Sequence, residues 1–189
     1  MKALGVNSIR VYHIDPSLDH DGCMAAFSDA GIYAFVDLDN AVKGGLVDQT
    51  HIEPLQPALS QFQVDSYNKA LDAIAKYDNL GGVFIGNEIM TLANESLVAP
   101  YVKAAAVAVK KYRDGKSLRK IPVGYSAADV SGLRPMLQNY MACDSNQDNN
   151  LDFFGLNAYE WCGGSSYHTS GYDMLQANAS GYSIPLFFR

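Results

Sequence analysis

The stretch Val83-Phe84-Ile85-Gly86-Asn87-Glu88 decides the fold of this chain. Its apolar, β-branched and aromatic residues predict a buried strand, which ends abruptly in an amide and an acid. In (β/α) barrels, catalytic residues stand at the carboxyl ends of parallel strands, beyond the hydrophobic stack. The stretch therefore predicts a functional carboxylate at Glu88. A strand end whose glutamate merely faces solvent is the alternative reading.

Apolar bursts alternate with helical segments along the whole chain. The predicted strands are residues 8–12, 33–38, 82–85, 121–125, 153–157 and 184–188, and the predicted helices are residues 19–30, 62–77, 99–113, 132–140 and 173–178. The near-continuous apolar character of these strands is typical of strands that are covered on both faces. This order predicts an α/β fold, either a doubly wound sheet or part of a barrel. No glycine-rich phosphate loop follows a strand, which disfavours a nucleotide-binding sheet.

Length and composition restrict the alternatives further. The 189 residues are 48% hydrophobic and 18% charged, so the chain can bury a core and is not disordered. A complete (β/α)8 barrel typically needs about 250 residues, so an incomplete barrel is expected. The net charge is −6 and the cations are scattered, which argues against a nucleic-acid partner. No apolar run is long enough to cross a membrane, and residues 1–7 do not form a secretory signal.

The cysteines and histidines show no metal-binding spacing, and no cofactor is expected. The chain contains Cys23, Cys143 and Cys162, and His13, His20, His51 and His168. The odd number of cysteines fits free thiols in a cytosolic protein, or half-cystines whose partners lie outside this chain. Two N-x-S sequons begin at Asn94 and Asn178 and mildly favour a secreted parent protein.

Polar and aromatic residues follow the predicted strands at their carboxyl ends. They are Tyr12, Asp37, Asn87, Glu88 and Tyr159. Each one alone has an ordinary structural explanation, such as a rim tyrosine or a helix cap. Together they predict a carbohydrate site, where aromatic faces contact pyranose C–H groups and carboxylates or amides bind hydroxyls.

Hydrolysis or transfer at a glycosidic bond requires two carboxylates. In a retaining enzyme they lie about 5–5.5 Å apart, one as acid/base and one as nucleophile. Glu88 suits the acid/base, because the neighbouring Asn87 could bind the sugar 2-hydroxyl. The second carboxylate is missing from the ends of the later strands. Glu160 is the nearest substitute in sequence order, but nothing places it opposite Glu88.

The chain resembles glycoside hydrolase family 72, the fungal cell-wall β-1,3-glucanosyltransferases. The matching stretches are residues 4–15, 31–38, 86–88, 121–126, 155–163 and 181–188, in the order that the family has them. The blocks Tyr159-Glu160-Trp161-Cys162-Gly163 and Gly181-Tyr182-Ser183-Ile184-Pro185 make the resemblance highly specific.

This resemblance implies a (β/α)8 TIM barrel that cleaves a β-1,3-glucan donor and elongates an acceptor chain, without a metal. By match, Glu88 is the acid/base and Asn87 its sugar-binding neighbour, while Tyr12, Asp37 and Tyr159 line the glucan groove. For the full-length parent, the family implies a cell-surface glycoprotein with disulfide bonds and a GPI anchor to the plasma membrane.

The sequence departs from the family pattern at both ends. Family members begin with an extra strand that carries a Tyr-Gln-type element, and after the last strand here they continue with Ser-Glu-Tyr-Gly-Cys, whose glutamate is the nucleophile. Residues 1–189 are thus expected to be a partial catalytic barrel that resembles strands two to seven and is inactive alone. The alternatives are a catalytically dead glucan-binding remnant and another retaining β-glycosidase of the same fold.

Overall fold

A computed structural model describes residues 1–38 and 59–188, so His51 and Arg189 lie outside the described residues. In this part of the chain, six strands form one sheet: β1 Ser8–Val11, β2 Tyr33–Asp37, β3 Leu80–Asn87, β4 Val123–Ala128, β5 Phe153–Asn157 and β6 Leu186–Phe188. All neighbouring strands are parallel and pair in chain order. This order is that of a (β/α) barrel wall, and it excludes the reversal of strand order found in doubly wound sheets.

Helices connect the strands at the predicted places. They are α1 Asp21–Asp29, α2 Gln61–Ile74, α3 Ala99–Gly115, α4 Met136–Met141 and α5 Tyr172–Ala179, with 3₁₀ turns at Lys2–Leu4, Ala93–Val98, Ser131–Leu133 and Gln147–Asn149. A capping box of Ser60 and Gln63 starts α2 by satisfying free backbone N–H groups. Within the described ranges, no helix has the length and hydropathy that a membrane crossing needs.

The outer face of the sheet forms the main core against the helices. Alternate strand residues such as Val36, Val83 and Tyr125 are buried there with residues of α2 and α3, among them Leu71 and Val102. Each fully buried aliphatic side chain of this kind stabilises the fold by about 1.5–3 kcal/mol. The strands are therefore held against their helices independently of what the inner face carries.

The inner face carries a phenylalanine cluster that shows how strongly the sheet curls. It consists of Phe35, Phe84, Phe153 and Phe187. The ring centroids of Phe35 on β2 and Phe187 on β6 are 5.4 Å apart. Strands spaced by about 4.8 Å would place β2 and β6 about 19 Å apart in a flat sheet. The sheet is therefore curled into a half-barrel, which confirms the prediction of an incomplete (β/α)8 barrel.

Glycines on the inner face provide the space for these rings. A Cβ atom on Gly124 would lie 2.4 Å from Cε2 of Phe153, and one on Gly82 would lie 3.0 Å from Cε1 of the same ring. Phe153 and Phe84 meet edge to face at 5.0 Å, a geometry that aromatic pairs prefer. The inner layer therefore alternates large rings with residues that have no side chain.

We expect Gly124→Ala to lower the free energy of unfolding by about 1–3 kcal/mol, because the added methyl group overlaps the Phe153 ring. The matched control is Gly22→Ala in α1, where nothing lies within 4 Å of the added Cβ and alanine favours the helix by up to about 1 kcal/mol. Urea unfolding midpoints measure both. Equal destabilisation by the two substitutions would contradict the packing assignment.

Candidate active site

The carboxyl ends of the strands bring six polar side chains into one polar network above the phenylalanine cluster. This polar network comprises Arg10, Asp37, Asn87, Glu88, Ser126 and Asn157. Their positions follow from the strands, because β1 to β5 are parallel and end at the same edge of the sheet. The register pairs Asn87 with Ser126 across β3 and β4.

Arg10 is the centre of the polar network. Its Nε and Nη2 donate to the two carboxylate oxygens of Asp37 at 2.7 and 2.5 Å. Nη2 also donates to Oδ1 of Asn87 at 2.9 Å, and Nη1 donates to Oγ of Ser126 at 3.3 Å. The guanidinium carbon lies 4.1 Å from the centroid of the Tyr12 ring, a favourable cation–π distance. One cation on β1 therefore connects three other strands.

Asp37 is buried beneath the strand ends, and Arg10 occupies both of its oxygens. Burial raises the pKa of the Asp37 carboxyl above its ordinary value, and the hydrogen bonds and charge of Arg10 oppose that shift. The sequence predicted that Asp37 lines a glucan groove. In the structure Asp37 anchors Arg10, and Arg10 in turn contacts the Tyr12 ring.

Asn157, at the end of β5, connects the polar network to Glu88. Its Nδ2 donates to Oε1 of Glu88 at 2.5 Å and to Oδ1 of Asn87 at 3.0 Å, while its Oδ1 accepts from Oγ of Ser126 at 2.8 Å. Sequence reasoning did not select Arg10 or Asn157 as site residues. The period of two along a strand was the available signal, since it places Arg10 on the same face as Tyr12.

Arg10 and Asn157 determine the orientation of the Asn87 side-chain amide. Its oxygen accepts from Arg10 and Asn157, so the amide nitrogen must be the outward atom. No residue of 1–38 or 59–188 accepts a hydrogen bond from that nitrogen. Asn87 can therefore donate to a hydroxyl of a bound sugar.

Glu88 has a backbone conformation that is unusual for a residue with a side chain. Its φ is +50°, in the left-handed region, which costs of the order of 1–3 kcal/mol for a residue other than glycine. The N–H of Glu88 donates to the carbonyl of Ser126 at 2.7 Å, and Asn157 holds the carboxylate. The fold thus compensates for strain at the residue that the sequence predicted to be catalytic.

The two predicted groove tyrosines are both open to solvent. Tyr12 is 55% exposed and stacks on Arg10, and Tyr159 is 75% exposed on the segment that follows β5. Their rings are accessible to a ligand. Cys23, Cys143 and Cys162 are exposed free thiols. In residues 1–38 and 59–188, no group of three or more His, Cys, Asp or Glu residues is arranged to hold a metal ion.

Comparison with known proteins identifies the relatives of this chain. A family model described as Glucanosyltransferase, Glyco_hydro_72, matches residues 1–189. The 1,3-beta-glucanosyltransferase gas2 of Schizosaccharomyces pombe is 40% identical over an alignment of 189 positions, which covers 97% of this chain and 40% of that protein. The 1,3-beta-glucanosyltransferase gel2 of Aspergillus fumigatus is 41% identical over an alignment of 191 positions, which covers 100% of this chain and 39% of that protein. The chain thus spans about two fifths of the length of these relatives.

Solved structures of Saccharomyces cerevisiae Gas2p have the same fold. The complex with laminaritriose and laminaritetraose superposes with a TM-score of 0.87 at 40% identity, covering 99% of this chain and 41% of that one. A glutamate-to-glutamine mutant in complex with laminaritetraose and laminaripentaose gives a TM-score of 0.87 at 39% identity, with 99% and 40% coverage.

We expect Arg10→Met to lower the free energy of unfolding at pH 7 by about 3–5 kcal/mol, because it leaves the buried Asp37 charge unpaired. The unpaired carboxyl binds a proton more readily in the folded chain than in the unfolded chain, so this deficit shrinks as the pH is lowered. Urea titrations at several pH values measure both effects.

The control is Lys116→Met, which breaks the exposed Lys116–Asp72 pair at 3.0 Å and should leave the free energy of unfolding nearly unchanged, because solvent screens this pair. A deficit of Arg10→Met that stays constant with pH would show that Asp37 does not depend on Arg10.

Proposed function

Because this chain belongs to the Glyco_hydro_72 glucanosyltransferase family, we propose that it forms the acid/base side of the active site of a β-1,3-glucanosyltransferase. Such an enzyme cleaves a β-1,3-glucan and joins the new end to another glucan chain. The observation that carries the proposal is the position of Glu88. It stands at the end of β3 and is connected through Asn157 to Asn87.

Glu88 is proposed as the acid/base of the retaining reaction. In the first step its carboxylic acid protonates the leaving oxygen of the donor glucan while a second carboxylate forms the glycosyl–enzyme bond. In the second step the carboxylate of Glu88 removes the proton from the acceptor hydroxyl, which then attacks the sugar carbon and releases the nucleophile. Asn157 occupies Oε1 of Glu88, and Oε2 has no hydrogen bond with the described residues. Oε2 is therefore the oxygen that we assign to the proton.

Asn87 is proposed to bind the sugar 2-hydroxyl through its outward amide nitrogen. Hydrogen bonds to this hydroxyl strengthen in the oxocarbenium-like transition state of glycosidases. The two donors on the Asn87 oxygen hold the amide before the sugar arrives. This preorganisation reduces the cost of orienting the amide during the reaction.

The substrate class that we propose is β-1,3-glucan, as both donor and acceptor. Exposed Tyr12 and Tyr159 offer ring faces for the C–H patches of pyranose rings. The complexes of Gas2p with laminari-oligosaccharides support this choice, because that relative is similar over 99% of this chain. Asp37 contributes by holding Arg10, which supports both Tyr12 and Asn87.

We also propose that residues 1–189 do not by themselves complete the catalytic pair. Arg10 binds both carboxylate oxygens of Asp37, and Asp129 pairs with Arg134 at 2.6 Å. Neither of these two carboxylates is free to act as the nucleophile opposite Glu88. Residues 1–189 expressed alone should therefore bind laminari-oligosaccharides at most, and should transfer no glucan.

In the full-length protein, Glu88→Gln should lower the rate of glucan transfer by about 10²–10⁴-fold, because the amide cannot protonate the leaving oxygen. Chromatography of products from a laminari-oligosaccharide measures the rate, and the wild type should yield both longer and shorter chains. The control is Asp148→Asn, which removes an exposed carboxylate in a distant 3₁₀ turn. Its products should be the same as those of the wild type.

Several product patterns would contradict this assignment. Shorter products alone from the wild type would identify a hydrolase of the same fold. Binding of the oligosaccharide by the wild type without any product would favour the glucan-binding alternative. Transfer by residues 1–189 alone that is lost in Glu88→Gln would show that the nucleophile lies within this chain.

We propose that the full-length protein resides at the cell surface with a lipid anchor, as the resemblance implies. Asn94 is exposed at the start of a 3₁₀ turn, so its sequon is accessible for glycosylation. A phospholipase specific for phosphatidylinositol should release the protein from membranes, and Asn94→Gln should remove a mass that an N-glycosidase also removes. Retention of the protein in the cytosolic fraction would refute the location.

A further inference from the structure

Strand β3 is irregular near its carboxyl end. The register pairs Phe84 with Gly124 and Asn87 with Ser126, so β3 advances three residues where β4 advances two. One extra residue in one strand is a β-bulge, which redirects the side chains that follow it. In a regular strand, residues three positions apart face opposite sides. Phe84 and Asn87 nevertheless both contact the guanidinium group of Arg10, so the bulge is what brings Asn87 into the polar network.

The chain turns back on itself directly after the bulge. Glu88 has a φ of +50°, and the side chain of Ile89 lies against Gly86. A Cβ atom on Gly86 would lie 2.3 Å from Cδ1 of Ile89 and 3.8 Å from Cδ2 of Tyr125. Ile89, Met90 and Tyr125 are all buried in the same core cluster. The turn 86–90 is therefore packed beside the Tyr125 ring, on the outer face of the sheet.

The hydroxyl group of Tyr125 binds the backbone of this turn. The N–H of Met90 donates to the hydroxyl oxygen at 3.4 Å. The next residue of β4, Ser126, accepts from the N–H of Glu88 through its carbonyl at 2.7 Å. Two consecutive residues of β4 thus hold the turn on either side of Ile89. Burial raises the pKa of the Tyr125 hydroxyl, so this group stays neutral in the pH range of an assay.

The chain beyond the turn has an anchor of its own. Oε2 of Glu95 accepts from the N–H of Thr91 at 2.6 Å and from the N–H of Leu92 at 2.9 Å. This anchor involves no residue of β4, so it remains when Tyr125 is changed. Removal of the Tyr125 hydroxyl therefore affects the short stretch that begins at Glu88 and leaves the following 3₁₀ turn in place.

We propose that Tyr125 is a positioning residue for the acid/base Glu88. Its hydroxyl holds the N–H of Met90 and so keeps Glu88 in the left-handed conformation, from which the carboxyl group reaches Asn157. The inference rests on the proposed function of Glu88 for its effect on the reaction. Without the hydroxyl, a buried N–H loses its acceptor and the strained backbone of Glu88 is free to relax. The carboxyl group then leaves its position, while the residues that bind the glucan keep theirs.

The experiment compares Tyr125→Phe with Tyr182→Phe in the full-length protein. The ring centroids of both tyrosines lie 6.2 Å from that of Phe154, but the Tyr182 hydroxyl donates to the carbonyl of Gln138 in α4. Tyr125→Phe should lower kcat for transfer from laminaripentaose by about 10-fold or more and change KM by less than about 2-fold, because a displaced acid slows proton transfer without weakening binding. Tyr182→Phe should keep both constants, and urea unfolding confirms that both variants are folded.

A double variant separates positioning from a general loss of structure. Tyr125→Phe is combined with Glu88→Gln, which leaves no acid to position. The rate should differ by less than about 2-fold between Glu88→Gln and the double variant, since losses from residues that act as a unit are not additive. An equal loss from Tyr125→Phe in both backgrounds overturns the inference, as does an unchanged kcat of Tyr125→Phe alone.

Hydrogen exchange of the full-length protein tests the same contact without a substrate. In Tyr125→Phe the amide of Met90 should exchange about 10-fold faster or more, whereas Tyr182→Phe should match the wild type. The amide of Leu92 should keep its rate in both variants, because Glu95 holds it. Unchanged exchange at Met90 overturns the inference. Faster exchange there, in a protein whose wild type transfers no glucan, supports the contact with Tyr125 and overturns the proposed function.

Discussion

The packing of Phe35 and Phe84 against Phe153 and Phe187 sets the curvature of the sheet, and the candidate site depends on that curvature. Arg10 on β1 reaches Ser126 on β4, although three strand spacings amount to about 14 Å in a flat sheet. The curl shortens this separation to the reach of one side chain. An apolar layer low in the half-barrel therefore determines where the polar atoms of the layer above it meet.

The polar network combines a single buried ion pair with neutral amides and a hydroxyl. Arg10 and Asp37 compensate each other's charge, while Asn87, Asn157 and Ser126 transmit the arrangement to Glu88 without adding charge. A fully connected arrangement of this kind is rigid, because the low local dielectric strengthens every bond and penalises every unpaired atom. That rigidity suits the two proton transfers that we propose for Glu88 in one catalytic cycle.

The sequence was sufficient to predict the parallel strands, the incomplete barrel and the position of Glu88 at the end of a strand. Other features were not predicted, because they depend on local backbone constraints or on contacts across the sheet. β3 begins at Leu80, two residues earlier than predicted, because Gly81 resembles a turn residue but makes room for the Phe35 ring. α4 begins after Pro135, whereas the prediction ran through that residue. The pairing of Asp37 with Arg10 joins residues 27 positions apart, and hydrophobic periodicity contains no information on such partners.

The left-handed backbone conformation of Glu88 lowers the stability of the fold at the residue that we propose as the acid/base. Glycine adopts a φ of +50° freely, so the fold alone would favour an achiral residue there. The proposed role of Glu88 requires a carboxylate in spite of that preference, which is a trade-off between activity and stability. Selection for heat resistance alone would favour glycine at position 88, and a thermostable variant obtained in that way would have lost the carboxylate to which we assign the proton transfers.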